Sequence, residues 1–168
     1  MRSIRLASLL LAAALPAAAH AKAWQGITPG TSSADDVQSR FGEPTTKTKR
    51  AGRVVLAYLG DQALPGTKQA QFYTGEGGVV QEITVFLATQ LEKEAIEGTY
   101  GKSPEKTFTD SFLPVWIYRA QGVTVYFGKD GYVEAITFGP GTKASAKSEG
   151  PPRPAPAPAP AKGEAKAP

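Results

Sequence analysis

One order of local structure occurs twice in this chain: a short amphipathic helix, a glycine that ends it, and a proline shortly afterwards. The first occurrence is "SADDVQSRFGEP" (33–44) and the second is "LEKEAIEGTYGKSP" (91–104). Glycine readily adopts the backbone conformations that end a helix, and proline cannot continue one. The chain is therefore predicted to contain two short helices, each ended by its own sequence.

Strand-like segments follow each helix in matching order. The segment "VVLAYLG" (54–60) resembles "PVWIYRA" (114–120), and "FYTGEGGVVQEITVF" (72–86) resembles "YFGKDGYVEAITF" (126–138). Together with the two helices, these matches predict an internal duplication with a period of about 53 to 60 residues. A chance resemblance between two helix–hairpin units is the alternative.

The predicted fold class is α+β, because each helix precedes a group of antiparallel strands. Two tandem helix-then-strand repeats are expected to share one sheet and to place both helices on one of its faces. The linker from Phe86 to Thr89 is too short to separate two domains. A capping box of Thr89 with Glu92 is expected to begin the second helix. Strands are predicted near 52–59, 68–74, 79–87, 113–119, 123–127 and 132–138.

The two ends of the chain differ in composition from this domain, which is expected to span 24–142. Residues 1–23 have the basic start, the Ala and Leu run and the small-residue cleavage site of a secretory signal peptide. Cleavage is expected after Ala21 or Ala23, and an uncleaved anchor is the alternative. The protein is expected to be periplasmic or secreted, with no integral membrane span. Residues 143–168 contain no aromatic, Leu, Ile or Val and are predicted to be a disordered Pro/Ala/Lys-rich tail.

Cleavage of the leader would remove His20, the one histidine of a chain that contains no cysteine. The exported protein would then lack Ser-His-Asp and Cys-His sites, thiol redox chemistry and the usual structural zinc sites. Carboxylate chemistry and lysine bases survive this exclusion, but no recognisable catalytic spacing accompanies them. We therefore predict no catalytic residues, no cofactor and no metal. Residues 22–142 hold 12 Lys and Arg against 13 Asp and Glu. This domain therefore lacks the basic character that is typical of nucleic-acid binding.

The stretch "GITPGTSSADDVQSRFGEP" (26–44) resembles the opening of the SmpA/OmlA family, the BamE-like outer-membrane lipoproteins of the barrel-assembly machine. The family pattern "I-x-x-G-x-S-x-x-x-V-x-x-x-x-G-x-P" is matched by Ile27, Gly30, Val37, Gly42 and Pro44. A tandem version of this unit resembles the beta-lactamase inhibitory protein fold, in which two such halves lay one curved sheet against a partner. Unlike the lipoproteins, this chain has no cysteine that could carry a lipid after its leader. The resemblance implies a protein-binding module.

Three functions are open at this point. The first is an exported, non-enzymatic protein-binding module of the bacterial envelope, either an assembly accessory or an inhibitor of an exported enzyme. The second is a carboxylate-dependent hydrolase acting on envelope polysaccharide, with Glu82 and Glu134 as candidates because they lie near equivalent places in the two repeats. The third is electrostatic contact of the basic tail, helped by "TKTKR" (46–50), with the cell wall or membrane surface.

Aromatic residues are the candidate contacts for a protein partner, since Trp and Tyr are enriched in binding hot spots. Side chains alternate along a strand, so Trp116 and Tyr118 share one face. A core position for Trp116 beneath a helix is the alternative. The purely apolar alternating set Val123, Val125 and Phe127 is predicted to form the core layer. The partner-binding set is predicted to gather on the face of the sheet without helices and consists of Trp116, Tyr118, Tyr126 and Tyr58.

Overall fold

The computed structural model describes residues 21–50 and 52–141. These residues form an α+β fold with one antiparallel sheet of eight strands and two helices, which confirms the predicted fold class. The predicted disordered tail (143–168) and residues 1–20 of the predicted leader lie outside the described residues.

Each helix precedes four strands along the chain. Helix α1 (Ala34–Phe41) is followed by β1 (Thr46–Arg50), β2 (Arg53–Leu59), β3 (Thr67–Thr74) and β4 (Val80–Leu87). Helix α2 (Lys93–Tyr100) is followed by β5 (Glu105–Phe108), β6 (Pro114–Tyr118), β7 (Val123–Phe127) and β8 (Val133–Phe138). The strands lie in the order β1-β2-β3-β4-β8-β7-β6-β5. Strands β4 and β8 therefore pair at the centre, and β1 and β5 form the two edges.

The two edge strands are missing from the sequence prediction, which treats β1 only as a basic stretch and does not include β5. Their sequences, "TKTKR" and "EKTF", lack the alternation of apolar and polar residues that predicts a half-buried strand. Charged side chains on edge strands hinder pairing with other chains. The polar composition that suits the edge of a sheet therefore removes the alternation by which a strand is predicted from sequence.

The two helices begin differently. Ser33 caps α1 in a capping box with Asp36: the Asp36 N–H donates to Ser33 Oγ at 3.1 Å, and the Ser33 N–H donates to Asp36 Oδ2 at 2.8 Å. Helix α2 begins at Lys93, and the side chain of Glu92 makes no capping hydrogen bond. The predicted capping box of Thr89 with Glu92 is therefore wrong. The carbonyl of Leu91 accepts the N–H of the first residue of β8 at 2.9 Å, which ties the linker to β8.

Both helices pack against the same face of the sheet. Val37 of α1 and Ile96 of α2 are buried in one hydrophobic cluster, together with side chains from β2, β3, β4, β6, β7 and β8. We call the opposite face of the sheet the helix-free face; it carries a separate buried cluster of Phe86, Val115, Tyr126 and Ala135. The sheet therefore has one face covered by helices and one that no described helix covers.

Candidate functional site

Three of the four predicted partner-binding aromatics lie in the helix-covered core. Tyr58, Trp116 and Tyr118 are all buried in the cluster that contains both helices. The indole of Trp116 packs edge-on against Phe127 with 4.9 Å between ring centroids. Their predicted position on the helix-free face is wrong, and the core alternative holds for Trp116.

The register between β6 and β7 explains this correction. Val125 lies opposite Trp116, whereas Tyr126 lies opposite Val115, and directly paired residues project from the same face of a sheet. Trp116 therefore joins the predicted core layer of β7, which is buried as expected. Tyr126 is the one predicted aromatic on the helix-free face. The prediction fails because alternation shows only which residues of one strand share a face. The register between two strands decides which residues of the next strand lie on that same face.

The helix-free face carries polar side chains as well as its apolar cluster. Thr84 lies opposite Thr137 in the β4–β8 pair, and their hydroxyls form a hydrogen bond of 3.0 Å. On β3 the hydroxyl of Tyr73 donates to Oε1 of Gln71. Burial raises the pKa of Tyr126, and the nearby negative charge of Glu82 raises it further. Hydroxyl and amide groups therefore lie beside the apolar cluster of the same face.

Glu82 and Glu134 do not form a catalytic pair. Extending the β4–β8 register by one residue places Glu134 level with Leu87, five residues along β4 from Glu82. At about 3.4 Å per residue the two backbones are roughly 17 Å apart, whereas paired glycosidase carboxyls lie about 5 to 9.5 Å apart. Glu82 instead lies 4.0 Å from the Arg53 guanidinium on β2. Burial raises the pKa of Glu82, and the charge of Arg53 opposes that shift.

A pocket of about 860 Å³ opens where β4 ends and β8 begins. We call it the sheet-end pocket. Its apolar lining includes Leu59, Phe86, Leu87 and Leu113. Gln69 also lines it. This residue is 5% exposed, and among the described residues its buried Nε2 has no hydrogen-bond partner. The charged residues in its lining are Lys68, Lys129, Asp130 and Glu134.

Phe112 projects from the turn between β5 and β6 beside this pocket. Its side chain is 85% exposed, and its backbone has a φ of +58°, a left-handed conformation that is rare for bulky residues. The turn is held from within by Thr109, whose hydroxyl accepts the Leu113 N–H at 3.1 Å and whose carbonyl accepts the Phe112 N–H at 2.9 Å. The next residue, Leu113, lines the sheet-end pocket.

Sequence reasoning missed Gln69 and Phe112. A phenylalanine inside the turn-like sequence "TDSFLP" was the available signal for Phe112. No pattern in the sequence marks Gln69, because its burial and its unpartnered amide depend on neighbouring strands.

Two further classes of site can be assessed within residues 21–50 and 52–141. No group of His, Cys, Asp and Glu there is arranged to hold a metal ion. In the same described part of the chain, neither helix is long and apolar enough to cross a membrane.

No protein-family model and no curated protein matches the chain. Among solved structures, the fold is similar to that of YjgB, a DUF4309 family protein from Bacillus subtilis subsp. subtilis str. 168. The match has 19% sequence identity and a TM-score of 0.53, and it covers 69% of this chain and 83% of that chain. At this level of identity the likeness shows the fold alone.

Proposed function

We propose that this protein is an exported, non-enzymatic protein-binding module of the bacterial envelope. It acts as an assembly accessory or as an inhibitor of an exported enzyme. The partner contacts the end of the sheet that carries the Phe112 turn and the sheet-end pocket. The SmpA/OmlA-like opening sequence and the leader are the sequence features that support this proposal.

The observation that carries the proposal is the exposed side chain of Phe112. Within the described residues, only Phe108 and Phe112 are large hydrophobic side chains with most of their surface exposed. A left-handed conformation costs a non-glycine residue about 1–2 kcal/mol. The hydrogen bonds of Thr109 hold the backbone of the turn in that conformation. Because the backbone that carries the ring is already ordered, binding has to fix only the side-chain rotamer, which favours the use of this aromatic as an anchor for a partner.

The proposed module is built from two tandem copies of one helix-then-strand unit. Two hydrogen bonds that recur in both halves support the duplication. The hydroxyl of Tyr58 donates to the carbonyl of Gly42 at 2.8 Å, and the hydroxyl of Tyr118 donates to the carbonyl of Gly101 at 3.0 Å. Each glycine is the residue at which its helix ends. In this arrangement the two copies meet through their last strands, β4 and β8.

Site-specific photo-crosslinking in the source cells tests the proposed function. A benzoylphenylalanine replaces Phe112 in one variant and Glu94 in a matched control, because Glu94 is exposed on α2 and lies away from the helix-free face. We expect the Phe112 position to give one discrete crosslinked protein and the Glu94 position to give none. A Phe112→Asn competitor, which suits the left-handed conformation, should not suppress the crosslink, whereas the unmodified protein should.

Two results would contradict the proposed function. One is equal crosslinking from both positions, which indicates nonspecific contact. The other is the absence of a crosslinked protein from the Phe112 position although the variant is folded and present at normal levels.

A further inference from the structure

We propose that an extended segment of the protein partner adds to the sheet along its β5 edge and pairs through its backbone with Lys106. An apolar side chain of that segment contacts Phe108 and Phe112. This inference rests on the proposed function and specifies the form in which the partner is held. An edge strand presents a row of backbone N–H and C=O groups, and another extended strand is the structure that is complementary to such a row.

The first argument is the direction of the backbone groups of β5. In an antiparallel pair, alternate residues exchange hydrogen bonds with the neighbouring strand, and the residues between them direct their N–H and C=O away from it. The Thr109 N–H donates to the Leu113 carbonyl at 2.9 Å where the two strands meet. By this alternation Thr107 also bonds β6, so the N–H and C=O of Lys106 point out of the sheet. No other described strand pairs with β5 on that side.

The second argument is that the charged side chains of β5 are held by their own sheet. Charges that extend past an edge strand hinder the addition of another strand. The Glu105 carboxylate accepts two hydrogen bonds from the guanidinium of Arg119, the residue after β6. The Lys106 ammonium lies 4.9 Å from the ring centroid of Trp116 on β6. Both charges are therefore engaged by β6 and its neighbour instead of projecting past the edge.

The opposite edge of the sheet differs in this respect. Lys47 and Lys49 of β1 are exposed. Among the described residues, neither forms an ion pair or lies over an aromatic ring. These two lysines thus hinder strand addition at β1, whereas the charges of β5 leave its edge open.

The third argument is the position of the exposed apolar side chains. Phe108, the last residue of β5, is 61% exposed, and Phe112 follows in the next turn. Both lie at one end of the β5 edge. A strand that pairs with Lys106 runs past this end, so its side chains gain apolar contacts in addition to the backbone hydrogen bonds. Backbone pairing together with side-chain contacts is typical of peptide recognition by strand addition.

A second copy of this chain fits the β5 edge less well. In a two-fold pair of β5 strands centred on Lys106, the lysines of the two copies lie directly opposite each other, which is destabilising. A segment of another protein can place an uncharged residue opposite Lys106. We therefore assign the edge to the partner.

Crosslinking from the Phe112 position in the full chain tests this inference with an added proline at the edge. Proline is tolerated on an edge strand where its missing N–H faces solvent, but it blocks pairing on that side. In Lys106→Pro we expect the crosslinked protein to decrease by about tenfold or more. Lys106→Thr retains the N–H and removes the charge, so it should crosslink as the parent does.

Lys47→Pro is the matched control on the opposite edge. Leu59 directs its N–H and carbonyl toward β1, where both bond Thr45 Oγ1 at 3.0 Å. By alternation Ala57 also faces β1 and bonds its partner Thr46, so Lys47 directs its own N–H out of the sheet. The control therefore places the same ring at an equivalent edge position. We expect it to crosslink at the parent level.

Hydrogen exchange provides a second measurement that decides the question if Lys106→Pro does not fold. The crosslinked protein is identified by mass spectrometry and added to the ¹⁵N-labelled parent. We expect exchange of the Lys106 amide to slow by about tenfold or more and exchange of the Lys47 amide to stay unchanged. A Lys106 amide that gains no protection in the complex would overturn the inference.

The crosslinking outcomes separate this inference from the proposed function. Unchanged crosslinking in a folded Lys106→Pro variant overturns strand addition and leaves the proposed function intact. An equal loss in Lys47→Pro, or a crosslinked protein that is a second copy of this chain, also overturns strand addition by the partner. The absence of any crosslink from the Phe112 position overturns both proposals.

Discussion

The hydroxyls of Tyr58 and Tyr118 offer a direct measurement of how each helix is held to the sheet. Changing either tyrosine to phenylalanine removes one hydrogen bond to the carbonyl of Gly42 or Gly101 and keeps the ring. The ring of Tyr58 stays packed against Phe72 at a centroid distance of 5.7 Å. The change in the free energy of unfolding therefore reports the hydrogen bond with little contribution from packing.

We expect each single substitution to lower the free energy of unfolding by about 0.5–1.5 kcal/mol, the net value of one such bond. Both glycines are exposed at their helix ends, so water can partly satisfy the released carbonyl and the cost should lie near 1 kcal/mol. For a domain of this size that corresponds to roughly 3–6 °C in melting temperature. The tyrosines lie on β2 and β6, five strands apart. At about 4.8 Å per strand they are roughly 24 Å apart, so the two effects should add.

Urea denaturation followed by circular dichroism measures these effects. Tyr132→Phe is the matched control, because within the described residues the Tyr132 hydroxyl makes no hydrogen bond; we expect its effect to stay within about 0.5 kcal/mol. Two results would refute the reasoning: single variants as stable as the parent, or a double variant that departs from additivity by more than about 0.5 kcal/mol.

The pH dependence provides a second readout from the Tyr58→Phe variant. Burial raises the pKa of Tyr58 to about 12 from an ordinary value of 10.0, with a smaller contribution from the charge of Glu43. Because the folded-state pKa is the higher one, the unfolded chain loses the Tyr58 hydroxyl proton first as the pH rises. The contribution of the neutral Tyr58 to the free energy of unfolding is therefore complete below pH 10 and is lost as the pH rises through about 12. The parent should therefore lose stability relative to Tyr58→Phe across that interval. Parallel stability curves over the same range would contradict the assignment.

Two further predictions concern other parts of the molecule. Trp116→Ala should lower the free energy of unfolding by about 3–5 kcal/mol, because it empties a buried site; a loss below about 1 kcal/mol in denaturation would contradict the core position. Glu82→Gln should stabilise the protein at pH 7, because burial disfavours the charged carboxylate and raises its pKa, and the difference should vanish in melts below the ordinary value of 4.5.

Several features could be predicted from the sequence because they depend on residues that are close along the chain. The end of α1 follows from Gly42 and Pro44, and the buried set of β7 follows from its alternation of side chains. The α+β class follows from the order of helices and strands. In each case the physical cause acts between residues that are close along the chain, so the local sequence is sufficient to predict the feature.

The candidate site depends on contacts between segments that are distant along the chain. The pairing of Trp116 with Val125 places the indole under the helices, and a shift of one residue in that register would reverse its face. Within the described part of the chain, the buried Nε2 of Gln69 has no acceptor, and this depends on the groups that neighbouring strands place around it. Phe112 is exposed because the Thr109 hydrogen bonds fix its turn beyond the sheet. Strand register, burial and hydrogen-bond partners depend on two segments that meet in the fold. The sequence pattern of one segment therefore does not predict them.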